Sequence, residues 1–276
     1  MKKIFTIASL LLAVCTLYAQ EKEDGFSETT EHSFGGRAGV TLGYKPLKSL
    51  DLSLSEELRA DTRYKGFDRS MTTLSVKYSP FKSFNIIAEY GFVARLRGSE
   101  QKTMKYSHRG KLGVSYTVKM GDFRLQLREL VQCDYKMDSV NVKEEANPAF
   151  YLRSRLRLSY HVPHLPLTPY IAGELYNTLN QPYIDLSVEN TTKGFREACL
   201  KNNIIINPFR NYVSRVRAVA GLEYDFNRHS SIKLYYLYNY DITYDVNYGK
   251  SSKKINRIEK ETGHRHNLGL EYVYYF

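Results

Sequence analysis

One segment, residues 151–160 with the sequence YLRSRLRLSY, alternates between apolar and cationic residues. In a β-strand successive side chains point to opposite faces, so the leucines fall on one face and Arg153, Arg155 and Arg157 on the other. At helical spacing the arginines would interrupt every apolar stripe. The segment is therefore predicted to be a strand, and two folds accommodate it: a soluble sandwich, or a transmembrane barrel with lipid outside and a polar lumen inside.

The same alternation recurs along most of the chain after residue 30. The segments are about 10 to 14 residues long, whereas strands of globular proteins average about 5 or 6. Short turns such as Gly121-Asp122 alternate with longer polar loops, as in outer-membrane barrels. These features favour the barrel over the sandwich. The clear segments are 34–44, 50–59, 73–78, 84–97, 111–120, 123–132, 151–160, 169–180, 215–224, 232–240 and 267–276.

The fold predicted from this pattern is all-β: a transmembrane antiparallel up-and-down β-barrel of about 12 strands, with about 10 as the alternative. Single-chain bacterial barrels normally have an even number of strands. A further strand is therefore expected either before Phe34 or within residues 181–211, where residues 203–206 are apolar.

The N-terminus carries two lysines followed by a short apolar run. Lys2 and Lys3 precede an apolar stretch that ends at Ala19, and residues 20–24 are polar. This pattern is typical of a secretory signal peptide, predicted as residues 1–19; an uncleaved anchor is disfavoured because a membrane span needs about 20 apolar residues. Residues 20–276 are predicted to form a single outer-membrane β-barrel domain of a Gram-negative cell.

Charge and cysteine content limit the partners and cofactors. Loss of the two lysines with residues 1–19 lowers the formal net charge from +11 to +9. The cations stand singly at alternate positions, which indicates strand faces, and the exported N-terminus argues against a nucleic-acid partner. Cys133 and Cys199 remain after cleavage. They allow a disulfide without requiring one, and two cysteines at this spacing do not form a metal site.

Tyrosine clusters at strand ends, where the aromatic girdles of membrane barrels lie. The final strand ends in Tyr272, Tyr274 and Phe276. Alternating apolar residues with a terminal phenylalanine are expected to act as the signal that barrel assembly machinery reads. Outer-membrane lipid and this machinery are accordingly the predicted partners.

Several short sequence segments resemble those of an uncharacterised outer-membrane family known as domain of unknown function 2490, found mainly in Bacteroidetes. The resemblance covers most of the mature chain and implies an outer-membrane barrel, but it brings no known activity, ligand or catalytic residue. The carrying residues are 55–59, 67–70, 74–82, 108–109, 123–129, 152–160, 168–170, Glu174, 215–217, Gly221, Tyr224, 235–236, His266 and 269–272.

Charged residues on the polar strand faces must point inward, because on the lipid face each would cost about 2 to 4 kcal/mol near the bilayer midplane. Glu56 and Glu129 fall on the lipid side of this assignment, and a β-bulge at each is expected to turn them inward. The predicted lumen-facing arginines are Arg59, Arg95, Arg97, Arg124, Arg128, Arg153, Arg155, Arg157, Arg215 and Arg217, and the predicted counter-charges are Glu57, Glu89, Glu223 and Glu271.

This basic lumen allows two interpretations. Arginine and glutamate could form a network that locks the barrel shut, or the excess positive charge could line a narrow pore or pocket that takes a small anionic solute. Because about 12 strands leave little space around long side chains, the closed barrel is favoured over the pore.

Catalysis is not predicted. No Ser-His-acid pattern typical of an outer-membrane phospholipase is visible, and the histidine pairs His161/His164 and His264/His266 lack a third metal ligand. The sequence therefore predicts a non-catalytic barrel without metal or cofactor, either an anion-preferring pore or a solute-binding barrel. The alternatives are a lipid-modifying enzyme and a plugged barrel with a structural or surface-interaction role.

Overall fold

The chain folds almost entirely into β-structure, as predicted. The structure is a computed structural model that describes residues 25–64, 66–97, 103–140, 145–201, 211–249 and 253–276; the predicted signal peptide lies outside these residues. A 3-10 turn (Thr62–Tyr64) and one α-helix, α1 (Lys193–Lys201), accompany the strands. No helix in the described ranges is long and apolar enough to cross a membrane. The strands are β1 (Phe26–Leu47), β2 (Leu50–Asp61), β3 (Gly66–Phe81), β4 (Phe84–Arg97), β5 (Thr103–Met120), β6 (Phe123–Lys136), β7 (Ala149–Tyr160), β8 (Leu167–Thr178), β9 (Val213–Asp225), β10 (Ser230–Tyr248) and β11 (Ile255–Tyr275).

The strands close into a barrel in which each strand pairs with its neighbours in sequence, and β1 pairs with β11. The pairs from β1/β2 through β9/β10 are antiparallel. The predicted barrel architecture is therefore confirmed. The strand count differs from the expected twelve or ten, since eleven strands occur in the described residues.

The closing seam between β1 and β11 explains how an odd number of strands forms a closed barrel. A Cβ added at Gly35 would lie 2.7 Å from Oδ1 of Asn267, and one added at Gly39 would lie 3.7 Å from Cγ of Glu271. From the first contact to the second, the residue numbers increase in both β1 and β11, so these two strands run parallel. Alternating directions around an odd ring require one such pair. The segment before Phe34 is the first part of the long β1, not a separate strand, and residues 203–206 lie outside the described ranges.

The connections differ between the two ends of the barrel. The even-numbered connections include the two longest, residues 137–148 and 179–212. The odd-numbered connections have two to six residues each: 48–49, 82–83, 121–122, 161–166 and 226–229. They lie at one end, here called the short-turn end, because every second connection of an up-and-down barrel is at the same end. Gly121 at the tightest of these turns has φ +61°, a conformation that glycine adopts without strain. The amide of Phe276 donates to the carbonyl of Gly43 at 2.9 Å, so the last strand also ends at the short-turn end.

The chain also contains a second, smaller compact unit. Its described residues are 25–29, 186–201, 244–249 and 253–261. The Thr192 hydroxyl accepts a hydrogen bond from the amide of Phe195 at 3.3 Å and so caps the first turn of α1. Phe195 and Ile258 are buried within the unit. The helix was not predicted from the sequence, which indicated only an irregular segment there.

Cys133 and Cys199, the two cysteines in the described ranges, are free thiols. Burial raises the pKa of the Cys199 thiol in α1.

The two faces of the barrel wall differ in chemistry. Along β7, Arg153 is 7% exposed whereas Leu156 is 50% exposed. In a closed barrel the buried face is the interior one, so the arginine points inward and the leucine outward. Aromatic residues form two bands on the outer face, separated by aliphatic side chains. The band near the short turns includes Tyr44, Tyr78, Tyr116, Phe123, Tyr160 and Tyr224, and the other includes Phe34, Tyr90, Phe92, Tyr106, Tyr135 and Phe150.

Candidate functional site

The most charged part of the barrel interior is centred on Glu174 of β8, which is 4% exposed. Its Oε1 accepts a hydrogen bond from Arg153 at 2.7 Å, and its Oε2 accepts one from Arg217 at 2.9 Å. Arg128 of β6 approaches Oε1 at 3.6 Å, although β7 lies between β6 and β8. One carboxylate therefore holds guanidinium groups from three strands.

An aromatic ring supports the same cluster. Tyr176 is 5% exposed, and the guanidinium of Arg153 lies 4.5 Å from its ring centroid. The guanidiniums of Arg215 and Arg217 lie 5.0 and 5.1 Å from the same centroid. The Tyr176 hydroxyl donates to Glu174 Oε2 at 3.3 Å. Cation–π contacts in a desolvated setting partly replace the lost hydration of these cations.

The three arginines of β7 have different surroundings. Arg153 also donates to Gln132 Oε1 at 2.8 Å. Arg157 contacts Glu223 at 3.2 Å and lies 4.0 Å from the ring centroid of Tyr170. Arg155 is directly opposite Glu174 in the strand register but forms no ion pair with the described residues. The column predicted from the sequence thus contains two paired cations and one without an ion-pair partner.

Other interior carboxylates are also shared between two cations. Asp241 contacts Arg215, and its other oxygen lies 3.2 Å from Arg265. Glu57 contacts Arg59 and lies 3.9 Å from Arg37. Because one carboxylate serves two arginines in each case, these clusters keep a net positive charge.

A polar cavity of about 560 Å³ lies at the short-turn end of the interior. Arg157 and Glu223 form part of its wall, together with Arg124, Lys119 and His161. Arg124 is exposed and forms no ion pair with any described residue. The cavity therefore combines an ion pair with available cationic groups.

Two of the predicted counter-charges, Glu89 and Glu271, have partners outside the clusters described above. Glu89 contacts Lys111 at 2.5 Å. Glu271 accepts a hydrogen bond from Thr41 at 3.0 Å and lies 3.5 Å from Lys233. Tyr272 and Phe276 are exposed, and the Tyr274 ring packs edge-on against the Phe276 ring at 5.2 Å. The side chain of Arg97 lies outside the part that the structure describes.

Sequence reasoning missed several interior residues, and Glu174 is the most important. The faces of β8 could not be separated from the sequence because the inward positions include Tyr170 and Tyr176, which resemble outer-face aromatics. Glu174, which lies four positions after Tyr170 and two before Tyr176, was the available signal. The other missed charged residues of the interior include Arg37, Arg69, Arg109, Arg265, Asp51, Asp61, Asp68, Asp134 and Asp241.

The β-bulges expected at Glu56 and Glu129 are absent from the strand registers. Neither the pairing of β2 at Glu56 nor that of β6 at Glu129 shifts. Both carboxylates stay on the outer face and bind hydroxyls of the next strand. Glu56 accepts from Thr72 at 2.5 Å, and Glu129 accepts from Ser154 at 2.6 Å. The prediction that they turn inward is wrong. Each carboxylate accepts a hydrogen bond from a hydroxyl group of the neighbouring strand, so it has a polar partner without a bulge.

Several histidines lie on the outer face beside tyrosines. His108 shares a hydrogen bond with Tyr90 at 2.6 Å, and His264 shares one with Tyr238 at 2.8 Å. The His264 ring also stacks on that of His32 at 4.8 Å. Within the described ranges no group of three or more histidine, cysteine, aspartate or glutamate residues could hold a metal ion.

The model of a family described as a protein of unknown function, DUF2490, matches residues 38–247. This range includes all of β2 to β9, and therefore the cluster around Glu174. No curated protein matches the chain.

Proposed function

The chain belongs to the DUF2490 family, and from this premise we propose that it is a non-catalytic outer-membrane β-barrel whose arginine-rich interior favours small anions. It acts either as a narrow anion-preferring pore or as a solute-binding barrel. The chain is exported through its signal peptide, inserted by the barrel assembly machinery and surrounded by outer-membrane lipid.

The outer face supports the membrane location. Phe84 pairs with Tyr116 near the short turns, and Phe92 pairs with His108 in the other aromatic band. The eight residues between these levels span roughly 21 Å along the barrel axis, at about 3.4 Å per residue and a tilt of about 40°. Outer-membrane barrels carry an apolar band of about 25 Å between aromatic girdles. The outer face therefore has the size and chemistry that lipid requires.

The single observation that carries the anion preference is the unequal charge around Glu174. This carboxylate contacts three arginines, and Arg155, opposite it in the register, forms no ion pair with any residue in the described ranges. Positive charge held in a narrow space of low dielectric constant attracts anions and repels cations. A bound or passing anion would provide the negative charge that the cluster lacks.

The number of strands limits the width of any passage through the barrel. Barrels of about 8 strands are filled by their own side chains, whereas about 16 to 18 strands leave an aqueous channel. Eleven strands with an arginine network across β6 to β9 favour a narrow passage or a closed pocket. The cavity at the short-turn end is an entrance for solute in either case.

Recording from the purified protein in planar bilayers under a salt gradient tests the proposal. The reversal potential should show anion preference, and Arg155→Gln should weaken it, because this substitution removes a positive charge without leaving a carboxylate unpaired. Lys193→Gln makes the same charge change on exposed α1 and should have no effect.

Cation preference would overturn the proposal, as would a protein that neither conducts nor binds anions. Release of fatty acid from phospholipid by the same preparation would contradict the non-catalytic assignment.

A further inference from the structure

Four arginines stand directly opposite one another on four consecutive strands. The register pairs Arg37 of β1 with Arg59 of β2, Arg59 with Arg69 of β3, and Arg69 with Arg95 of β4. We call this set, Arg37, Arg59, Arg69 and Arg95, the arginine row. Like charges directly opposite in a sheet are destabilising. Because this cost is repeated on three strand pairs, we expect negatively charged groups to compensate the row.

A β-bulge creates part of the compensation. The β2/β3 register shifts between Arg59 and Ala60, which leaves Asp68 as the extra residue of β3. The bulge places Asp68 on the same face as Arg69, and the carboxylate is 4% exposed. It lies 2.7 Å from Arg69 and 3.5 Å from Arg95.

Glu57 provides the second carboxylate, on the other half of the row. It contacts Arg59 and lies 3.9 Å from Arg37. Each of the two carboxylates is therefore shared by two guanidiniums of the row. Lys105 continues the register beyond Arg95 and pairs with Asp138 at 3.3 Å.

The guanidinium of Arg37 has unused donors. Its side chain is 8% exposed, yet its Nε finds no hydrogen-bond acceptor among the described residues. A buried donor without an acceptor is costly, so an oxygen atom is expected to approach it. Solute can reach the row from its other end, where the side chain of Arg95 remains 27% exposed.

We propose that the arginine row is a binding site for a tetrahedral oxyanion, such as phosphate or the phosphate group of a small solute. The inference deepens the proposed function and rests on the anion preference of the interior. Four guanidiniums on neighbouring strands attract such an anion. Neighbouring strands are about 4.8 Å apart, so two adjacent guanidiniums can donate to different oxygens of one phosphate. The planar fork of arginine suits this bidentate geometry.

Calorimetric titration of the purified full-length barrel in detergent micelles tests the proposal. Inorganic phosphate and sulfate should bind, and chloride should bind at least tenfold more weakly. A parallel titration with glycerol 3-phosphate distinguishes free phosphate from a phosphate ester as the natural ligand. Binding of either phosphate form supports the site, whereas equal affinity for chloride and phosphate overturns it.

Single-residue variants test whether phosphate binds at the arginine row. Arg37→Gln should weaken phosphate binding at least tenfold, and Arg37→Lys should keep more of it because the charge is retained. Lys193→Gln on α1 should bind as the parent protein does. Circular dichroism of each variant verifies that the barrel is folded. Unchanged phosphate affinity in folded Arg37→Gln would overturn the assignment.

The same preparations separate this proposal from the broader one. A barrel that prefers anions in planar bilayers but binds no phosphate removes the site and leaves the proposed function. A barrel that binds phosphate at the row but prefers cations retains the site and removes the proposed function.

Discussion

The carboxylate of Asp68 lies 2.7 Å from Nε of Arg69, although neighbouring residues of a regular strand point to opposite faces. The bulge in β3 turns both side chains into the barrel interior and places the carboxylate within the arginine row. Asp68 therefore lowers the net positive charge of the arginine row below what a regular strand without the bulge would give.

Asp68→Asn should raise phosphate affinity several-fold and lower stability. The substitution removes one negative charge from the row, which strengthens anion binding, but it also removes the counter-charge of two arginines. Loss of one partner of a buried ion pair costs about 3 to 5 kcal/mol, and the asparagine carbonyl should recover part of this. Titration calorimetry and urea unfolding in detergent measure the two effects.

Glu197→Gln on exposed α1 is the control for Asp68→Asn and should change neither quantity. Weaker phosphate binding in Asp68→Asn would contradict the role assigned to the carboxylate.

Glu174→Gln should destabilise the barrel by about 3 to 5 kcal/mol, because it leaves the guanidiniums of Arg153 and Arg217 buried without their counter-charge. Heat or urea unfolding followed by circular dichroism measures the change. Glu31→Gln removes a carboxylate that is 48% exposed and 3.3 Å from Arg63, so its effect should stay below about 1 kcal/mol. Similar effects of the two substitutions would show that the Glu174 cluster contributes no special stability.

The parallel seam predicts different responses at two glycines of β1. A Cβ added at Gly43 would overlap the Tyr275 ring, whereas one added at Gly36 would meet nothing within 4 Å. Gly43→Ala should therefore cost about 1 to 3 kcal/mol, because the ring must move, and Gly36→Ala should be nearly neutral. Unfolding in detergent compares them. A neutral Gly43→Ala would argue against the close packing of β1 on β11.

Much of the barrel could be predicted because one physical rule governs each strand. Arg153, Arg155 and Arg157 cannot share a face with Leu152, Leu156 and Leu158, so the period of two determined the facing of β7. The same rule failed where an inward position is aromatic, as at Tyr176, and Glu174 was consequently overlooked.

Pairing between distant strands could not be predicted from periodicity. Alternation gives the faces of β1 and β11 but not their relative direction, so the parallel seam did not follow from the sequence. The eleven clear segments agree with the eleven strands of the structure, and only the even number that is normal for single-chain bacterial barrels led to the expectation of twelve. The bulge at Asp68 was also hidden, since one extra residue changes the facing without changing the composition. The arginine row depends on this bulge and on the registers of three strand pairs, and only the structure provides these.

The outward carboxylate of Glu129 gives a test of the membrane location. It lies on the apolar face and accepts a hydrogen bond from Ser154 at 2.6 Å. A charged group facing lipid is unfavourable, and glutamate costs less than the 2 to 4 kcal/mol of a cation at the midplane. The double substitution Glu129→Leu with Ser154→Ala removes both polar groups together.

If this face contacts lipid, the double variant should be more stable than the parent by about 1 kcal/mol when it unfolds from lipid vesicles. Glu197→Leu on α1 changes the same residue type at a site that is 65% exposed, and it should bring no such gain. Urea titrations in vesicles of the same lipid compare the three proteins. A loss of stability in the double variant would mean that Glu129 faces a polar environment, and it would count against a lipid-facing outer wall at this position.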